Sequence, residues 1–287
     1  MRYAFIRDEA KNHGVEILCE LLEVSRSGYY AFAQRKPSQR SEEHERLGKK
    51  IQKIFTESRK TYGYRRVVAA LKKASENCGK YRVSKLMKKL NLMPYRKRKF
   101  KLTTNSKHDY PIVSNVLNRE FNPIKPNQAW TADITYVETT DGWLYLASMM
   151  DLYGRKIIGW AMDKTMTSNL VISALQMALS RREIGEGLIL HSDRGKQYAA
   201  TDYQLLLKQN RIICSMSRKG NCWDNAPMES FFRTLKVEAL YGQRLLNREE
   251  TKLMIFEYIE VFYNRQRQHS VLNYLSPEEY ELAHVNL

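Results

Sequence analysis

The sequence predicts an α/β domain built on a mixed sheet, preceded by an all-α, strongly basic region. Three observations carry that expectation. Residues 1–127 hold 30 Lys and Arg against 12 Asp and Glu, a net of +18, while residues 128–287 hold 18 against 19, a net of −1; the whole excess of +17 lies in the first part. Apolar residues recur at helical spacing as far as residue 92, and period-two alternation takes over after 128. Beyond 128, three strand-like runs are followed by alternating helix and strand patterns, which is how a mixed sheet reads in sequence.

Composition narrows the function classes. With 287 residues, 43% of them hydrophobic, the chain can bury a sizeable core in two or three domains. No apolar run approaches the roughly 18 residues of a membrane span, and the start, "MRYAFIRDEAKNHG", lacks the apolar stretch of a signal peptide, so a cytoplasmic location is expected. Cys19, Cys78, Cys214 and Cys222 form no C-x-x-C pair, which argues against a disulfide framework or a zinc finger. A basic region joined to a neutral one points to a segment that grips a polyanion beside a domain with another task.

Residues 1–33 read as a helix-turn-helix segment: Leu18, Leu21 and Leu22 pack, and the turn "SRSGYY" places Arg26 at the head of a second helix. Polar residues 34–45, with Pro37, read as a linker. Residues 46–92 read as a second helix-turn-helix segment, three short helices with Arg65, Arg66 and several lysines on their polar sides, where DNA binding is favoured over a plain charged bundle. Residues 93–127 form a basic, proline-punctuated linker whose "YRKRKFK" strip, with Arg96, Lys97, Arg98 and Lys99, is suited to following a phosphate backbone. The predicted α/β core spans 128–245 and a helical tail 246–287. Within the core, "AWTADITYVE", "WLYLASMMDL" and "KIIGWAMD" predict a three-strand meander, followed by a helix at about 168–182, a strand in "GLILHSD", a helix over 200–209 and a strand in "RIICSMS".

Three acids stand out. Asp is disfavoured inside strands, so Asp133 within "TADITY" calls for a reason. Asp193 ends the run "LILHSD", where α/β sheets carry functional side chains. Glu229 sits early in a helix whose polar face continues with Arg233 and Lys236; it is either a surface acid pairing with Arg233 or a catalytic acid flanked by cations. If the first and fourth strands are neighbours, the carboxylates converge, and at 4 Å each pair repels by about 4 kcal/mol at an effective dielectric near 20. Divalent cations relieve this, and an all-oxygen set favours Mg²⁺ or Mn²⁺. Two such ions support in-line phosphodiester displacement. His191 is as readily structural as it is an orienting partner of Asp193.

The local contexts are more specific than the spacing. "WTADITY", "HSDRGKQY" and "GNCWDNAPMESFFRTLK" resemble the DDE transposase and integrase superfamily, and within it the second-frame transposases of the IS-three insertion-sequence family. The resemblance extends over nearly the whole chain, to "VSRSGYY", "TYGYRRV" and the tail "YNRQRQHSVLNYLSPEEY"; Lys196 and Asn273 depart from the family's frequent Ser and Gly. It implies a ribonuclease H-like core, Asp133, Asp193 and Glu229 as metal-binding catalytic acids with two Mg²⁺ or Mn²⁺, and Lys236 as a DNA contact at the element end. It implies as partners the terminal repeats and target DNA, an upstream-frame protein or fusion, and further copies of the chain for synapsis. Two competing readings are a non-catalytic DNA-binding regulator of transposition and a ribonuclease H-like nuclease without strand transfer.

Overall fold

Short amphipathic segments bury their few large apolar residues only by packing on one another, and the N-terminal region does this twice. The computed structural model describes residues 1–36, 38–95, 113–218, 221–241 and 244–284. Its first unit packs α1 (Arg2–Glu9), α2 (Val15–Leu21) and α3 (Arg26–Ala33) around Ile6, Leu18, Cys19 and Tyr29. Ser25 caps α3, its hydroxyl accepting from Gly28 N at 3.1 Å. Leu21, expected to pack, is 74% exposed. The inward face of the two-turn α2 is taken by Leu18 and Cys19, with Leu22 just beyond.

The second unit, α4 (Gln39–Glu57), α5 (Tyr64–Lys73) and α6 (Lys80–Lys89), closes around Leu47, Ile51, Phe55, Val67, Leu71, Val83 and Met87. Helix α4 starts at Gln39, so most of the segment read as a linker is helical. Ser38 caps it through Ser41 N (3.2 Å), and Glu45–Lys49 (2.9 Å) and Arg82–Glu43 (3.0 Å) hold its polar turns. Polarity there marks a solvent-facing helix.

Arg96, Lys97, Arg98 and Lys99 lie outside the described residues. From residue 113 the chain runs beside the last strand of a five-stranded sheet, β1 (Ala129–Thr139), β2 (Gly142–Asp151), β3 (Lys156–Asp163), β4 (Ile189–Ser192) and β5 (Ile213–Met216), in the order β3-β2-β1-β4-β5. The meander β1-β2-β3 is antiparallel, while β4 joins β1 and β5 joins β4 in parallel, as the helical crossovers require. Helices α7 (Ser168–Arg181), α8 (Lys196–Ala199) and α9 (Thr201–Gln209) belong to one core, with Trp130, Ala132, Leu190 and Tyr203. Helix α7 comes close because β3 offers Gly159, where a Cβ would lie 2.2 Å from Ala174 O.

The other core receives α10 (Ala226–Leu235), a π-helical turn Lys236–Leu240, α11 (Arg248–Glu257) and a second π turn Tyr258–Tyr263, through Met228, Phe231, Phe232, Leu235, Ile255, Tyr258 and Phe262. This is the ribonuclease H-like arrangement, a mixed sheet with helices on both faces. Its edges are covered: Asn264 bonds both Ile157 N (3.0 Å) and Ile157 O (2.9 Å) on β3, and Ser215 Oγ on β5 accepts from Val116 N and Leu117 N (2.9 and 3.0 Å).

The tail, which ends in α12 (Pro277–His284), is also the seat of the second helical unit. Tyr62 Oη accepts from Gln268 N (2.7 Å), and Arg66 reaches Glu238 (3.9 Å), which Arg267 grips in bidentate fashion (2.7 and 2.9 Å). Asn273 has φ +53°, a left-handed conformation that Asn tolerates.

Candidate active site

Parallel pairing of β1 with β4 sets Thr131 beside His191. Asp133 and Asp193 each stand two residues further along, so they leave neighbouring strands at the same level. Asp133 Oδ1 accepts from Ile134 N (2.8 Å), and Asp193 Oδ1 accepts from Gly195 N (2.9 Å). Gly195 is constrained by that turn, since a Cβ there would lie 2.9 Å from Asp193 Oδ1.

Burial pushes the Asp133 carboxyl well above the usual carboxylate range. The charge of Asp193 adds to this and Glu229 adds less, while the Ile134 N–H and Lys236 pull the other way. Glu229, in the first turn of α10, is exposed at its surface, yet the protein around its carboxyl raises its pKa. Among the described residues, no three His, Cys, Asp or Glu side chains stand close enough to share a metal ion as placed.

Lys236 is buried, with Nζ 5.1 Å from the centre of the Tyr136 ring; burial lowers its pKa against the opposing pull of Asp133. Arg233 is exposed, and among the described residues it forms no ion pair with Glu229, so the surface-pair reading of this helix does not hold. The other cations expected to meet DNA divide. Arg65 is exposed beside Tyr64 (3.3 Å), and Arg26 is exposed but paired with Glu16. Arg66 is turned inward, over the Tyr62 ring (5.3 Å) and toward Glu238, because docking of α5 on the tail buries that side of the helix.

His191 is structural. Ser215 Oγ already accepts two backbone N–H bonds, so its hydroxyl donates to His191 Nδ1 (2.9 Å). That leaves Nε2–H to donate to Ser217 Oγ (3.0 Å), whose hydroxyl passes to Ser192 O (3.2 Å). Burial pushes its pKa down to about 4.

Several site residues gave no strong signal in the sequence. Ser148, opposite Asp133 on β2, and Tyr198, whose pKa is raised by burial and by both aspartates, have buried hydroxyls with no hydrogen-bond partner among the described residues. Asp224 is wholly buried: burial alone would raise it, but bonds from Arg218 and Arg119 hold it below the usual range. Asn225 occupies the cap position without capping the helix and bonds to β1 instead. Asp151 is a further buried acid, raised by burial to about 6, whose oxygens accept from Asn127 N and Tyr153 N at the end of β2.

The sheet order with helices on both faces is that of an integrase-type core, and the matches to known proteins make the chain a polynucleotidyl transferase of that type. Two Integrase core domain models match residues 123–222 and 229–284, and an HTH-like domain model matches residues 42–100. The chain is similar to the Insertion element IS600 uncharacterized 31 kDa protein of Shigella sonnei, 49% identical over 91% of this chain and 96% of that protein. It is also similar to Transposase InsF for insertion sequence IS3A of Escherichia coli (strain K12), 40% identical over 98% of each. A simian T-cell lymphotropic virus intasome chain aligns with a TM-score of 0.47 at 18% identity, over 72% of this chain and 71% of that one. The chain belongs to the IS3-family transposases.

Proposed function

We propose that Asp133, Asp193 and Glu229 are the catalytic acids with which this transposase, binding Mg²⁺ or Mn²⁺, cuts the ends of its insertion sequence and joins them to new DNA. The observation that carries the assignment is the parallel register of β1 with β4, which sets Thr131 beside His191 and so brings out Asp133 and Asp193, each two residues further on, at one level, with the charges of Asp193 and Glu229 both acting on Asp133. The donor types suit such ions: the three side chains offer only oxygen, burial and then the charges of Asp193 and Glu229 raise the Asp133 carboxyl, which a cation would offset, and among the described residues the buried hydroxyls of Ser148 and Tyr198 have no hydrogen-bond partner. Held by these acids, divalent cations would supply Lewis-acid polarisation of the phosphodiester.

The chain's own groups orient the reaction. In the first step water attacks the phosphorus at the element end and the 3′ oxygen leaves, freeing a 3′-OH. In the second, that hydroxyl attacks another phosphodiester and displaces its 3′ oxygen, so one bond forms for each that breaks. Joining one element end to the other by this step gives a circular intermediate. Lys236 keeps a cation inside the site, and Arg233, exposed one turn beyond Glu229, meets the DNA backbone that approaches the acids. The basic N-terminal units, with Arg65 at the surface, hold the element end, and synapsis of two ends brings at least two copies together, with an upstream-frame segment as a further partner. Among the described residues no helix is long and apolar enough to cross a membrane.

The test is incubation of the full chain with a labelled element end and Mn²⁺. Asp133→Asn, Asp193→Asn and Glu229→Gln should each abolish cleaved and joined products while DNA binding persists. Product formation that survives all three changes overturns the assignment.

A further inference from the structure

Asn225 is 5% exposed and stands where α10 begins, a position at which asparagine ordinarily caps its own helix. Its amide is used otherwise. Oδ1 accepts from Thr131 Oγ1, and Nδ2 donates to Ala132 O at 3.0 Å. Both partners belong to β1, and they are the two residues that precede Asp133. The helix thereby forgoes a side-chain cap in exchange for a bond to the strand.

The preceding residue braces the same point from the other side. Asp224 accepts from Arg218 N (2.9 Å) and Arg218 Nε (3.0 Å), just past the end of β5, and from Asn115 Nδ2 (3.0 Å) and Arg119 Nε (2.8 Å) on the segment that enters the core. The helix that carries Glu229 therefore starts at a joint fixed to β1 by Asn225 and to the β5 side by Asp224. Glu229 follows Asn225 by one turn, and Asp133 follows the Asn225 anchor by one residue. A helix transmits displacement rigidly over one turn, so a shift of Asn225 against β1 moves Glu229 against Asp133 by nearly the same amount.

We propose that Asn225 is a positioning residue that sets the span between Asp133 and Glu229, and through it the affinity of the site for divalent cations. The proposal rests on the reading of Asp133, Asp193 and Glu229 as the cation-binding acids. A bond that merely added stability would leave cation affinity unchanged once the variant is folded. A bond that sets the span changes affinity, and partners of this kind around metal sites are typically worth roughly 10- to 100-fold.

The experiment is calorimetric titration of the full chain with Mn²⁺ in the absence of DNA, with thermal unfolding followed in parallel. Asn225→Ala should weaken Mn²⁺ binding about tenfold. Thr131→Val, which removes one of the two bonds, should weaken it less, and it keeps the test available if Asn225→Ala fails to fold. Ile158→Val, a core truncation in the same sheet, should lower the melting temperature without changing Mn²⁺ affinity. Wild-type Mn²⁺ affinity in both Asn225→Ala and Thr131→Val, with affinity lost in Asp133→Asn, overturns the positioning role and leaves the acid assignment standing. Wild-type affinity in Asp133→Asn overturns the acid assignment itself, and this proposal with it.

Discussion

Gly195 offers a perturbation whose size is set by the geometry around Asp193. Its backbone, φ −62° and ψ 142°, is ordinary for any residue, so replacement by alanine introduces no backbone strain. The added Cβ would lie 2.9 Å from Asp193 Oδ1 and 3.1 Å from Gln197 Oε1. Gln197 is held by its bond to Met166 O (3.0 Å) and is itself buried, so Asp193 is the group that gives way. Restoring ordinary contact moves the carboxylate by about half an ångström, and because a 1 Å misplacement costs roughly 10²-fold, the expected loss is about tenfold in cleavage rate. The cap position costs at most about 1 kcal/mol, so the fold is retained. Single-turnover cleavage of a labelled element end should show the loss in Gly195→Ala but not in Gly185→Ala, where the new methyl meets nothing within 4 Å. Equal rates in the two variants refute the reasoning.

Further expectations concern stability and binding. His191 is held neutral with its pKa at about 4, so its own contribution is present at pH 7 and is lost as pH falls below the unfolded value near 6.5; the stability gap between wild type and His191→Gln should narrow by about 2 kcal/mol from pH 7 to pH 5, and a pH-independent gap in denaturant titrations rejects this. Arg267→Ala leaves Glu238 buried without its bidentate partner, which should cost about 3 to 5 kcal/mol in denaturant titrations; a loss within about 0.5 kcal/mol would show that the pair is not what keeps Glu238 buried. With on the order of 6 to 10 phosphate contacts, affinity for an element end should drop about 10³- to 10⁵-fold between 50 and 200 mM salt, and salt-insensitive binding would remove the electrostatic grip from the account.

The strand meander, the alternation that follows it and the two N-terminal helical units were legible in sequence because each follows from periodic burial within one segment. The helical start of α4 was not, since a solvent-facing helix and a polar linker differ by a cap and a few i,i+4 pairs. Leu21 was misplaced for a related reason: a two-turn helix has room for only one inward stripe. The inward turn of Arg66 could not be read locally, because it depends on the surface that α5 meets 170 residues or more downstream, at Glu238 and Gln268.

By itself the sequence determined the chemistry available to this protein: which acids stand in unexpected places, the one-sided charge of its first 127 residues, and the motif contexts that mark its family. Side-chain identity carries such information directly. Only the tertiary structure decided that β1 and β4 pair in the register that brings Asp133 and Asp193 out at one level, that Lys236 is buried within reach of the charge of Asp133, and that Asn225 bonds to a strand rather than to its own helix. These outcomes depend on strand order and on the way one helix seats against a sheet. Contacts between residues roughly 60 to 100 positions apart are fixed by the packing of the whole domain rather than by any local pattern.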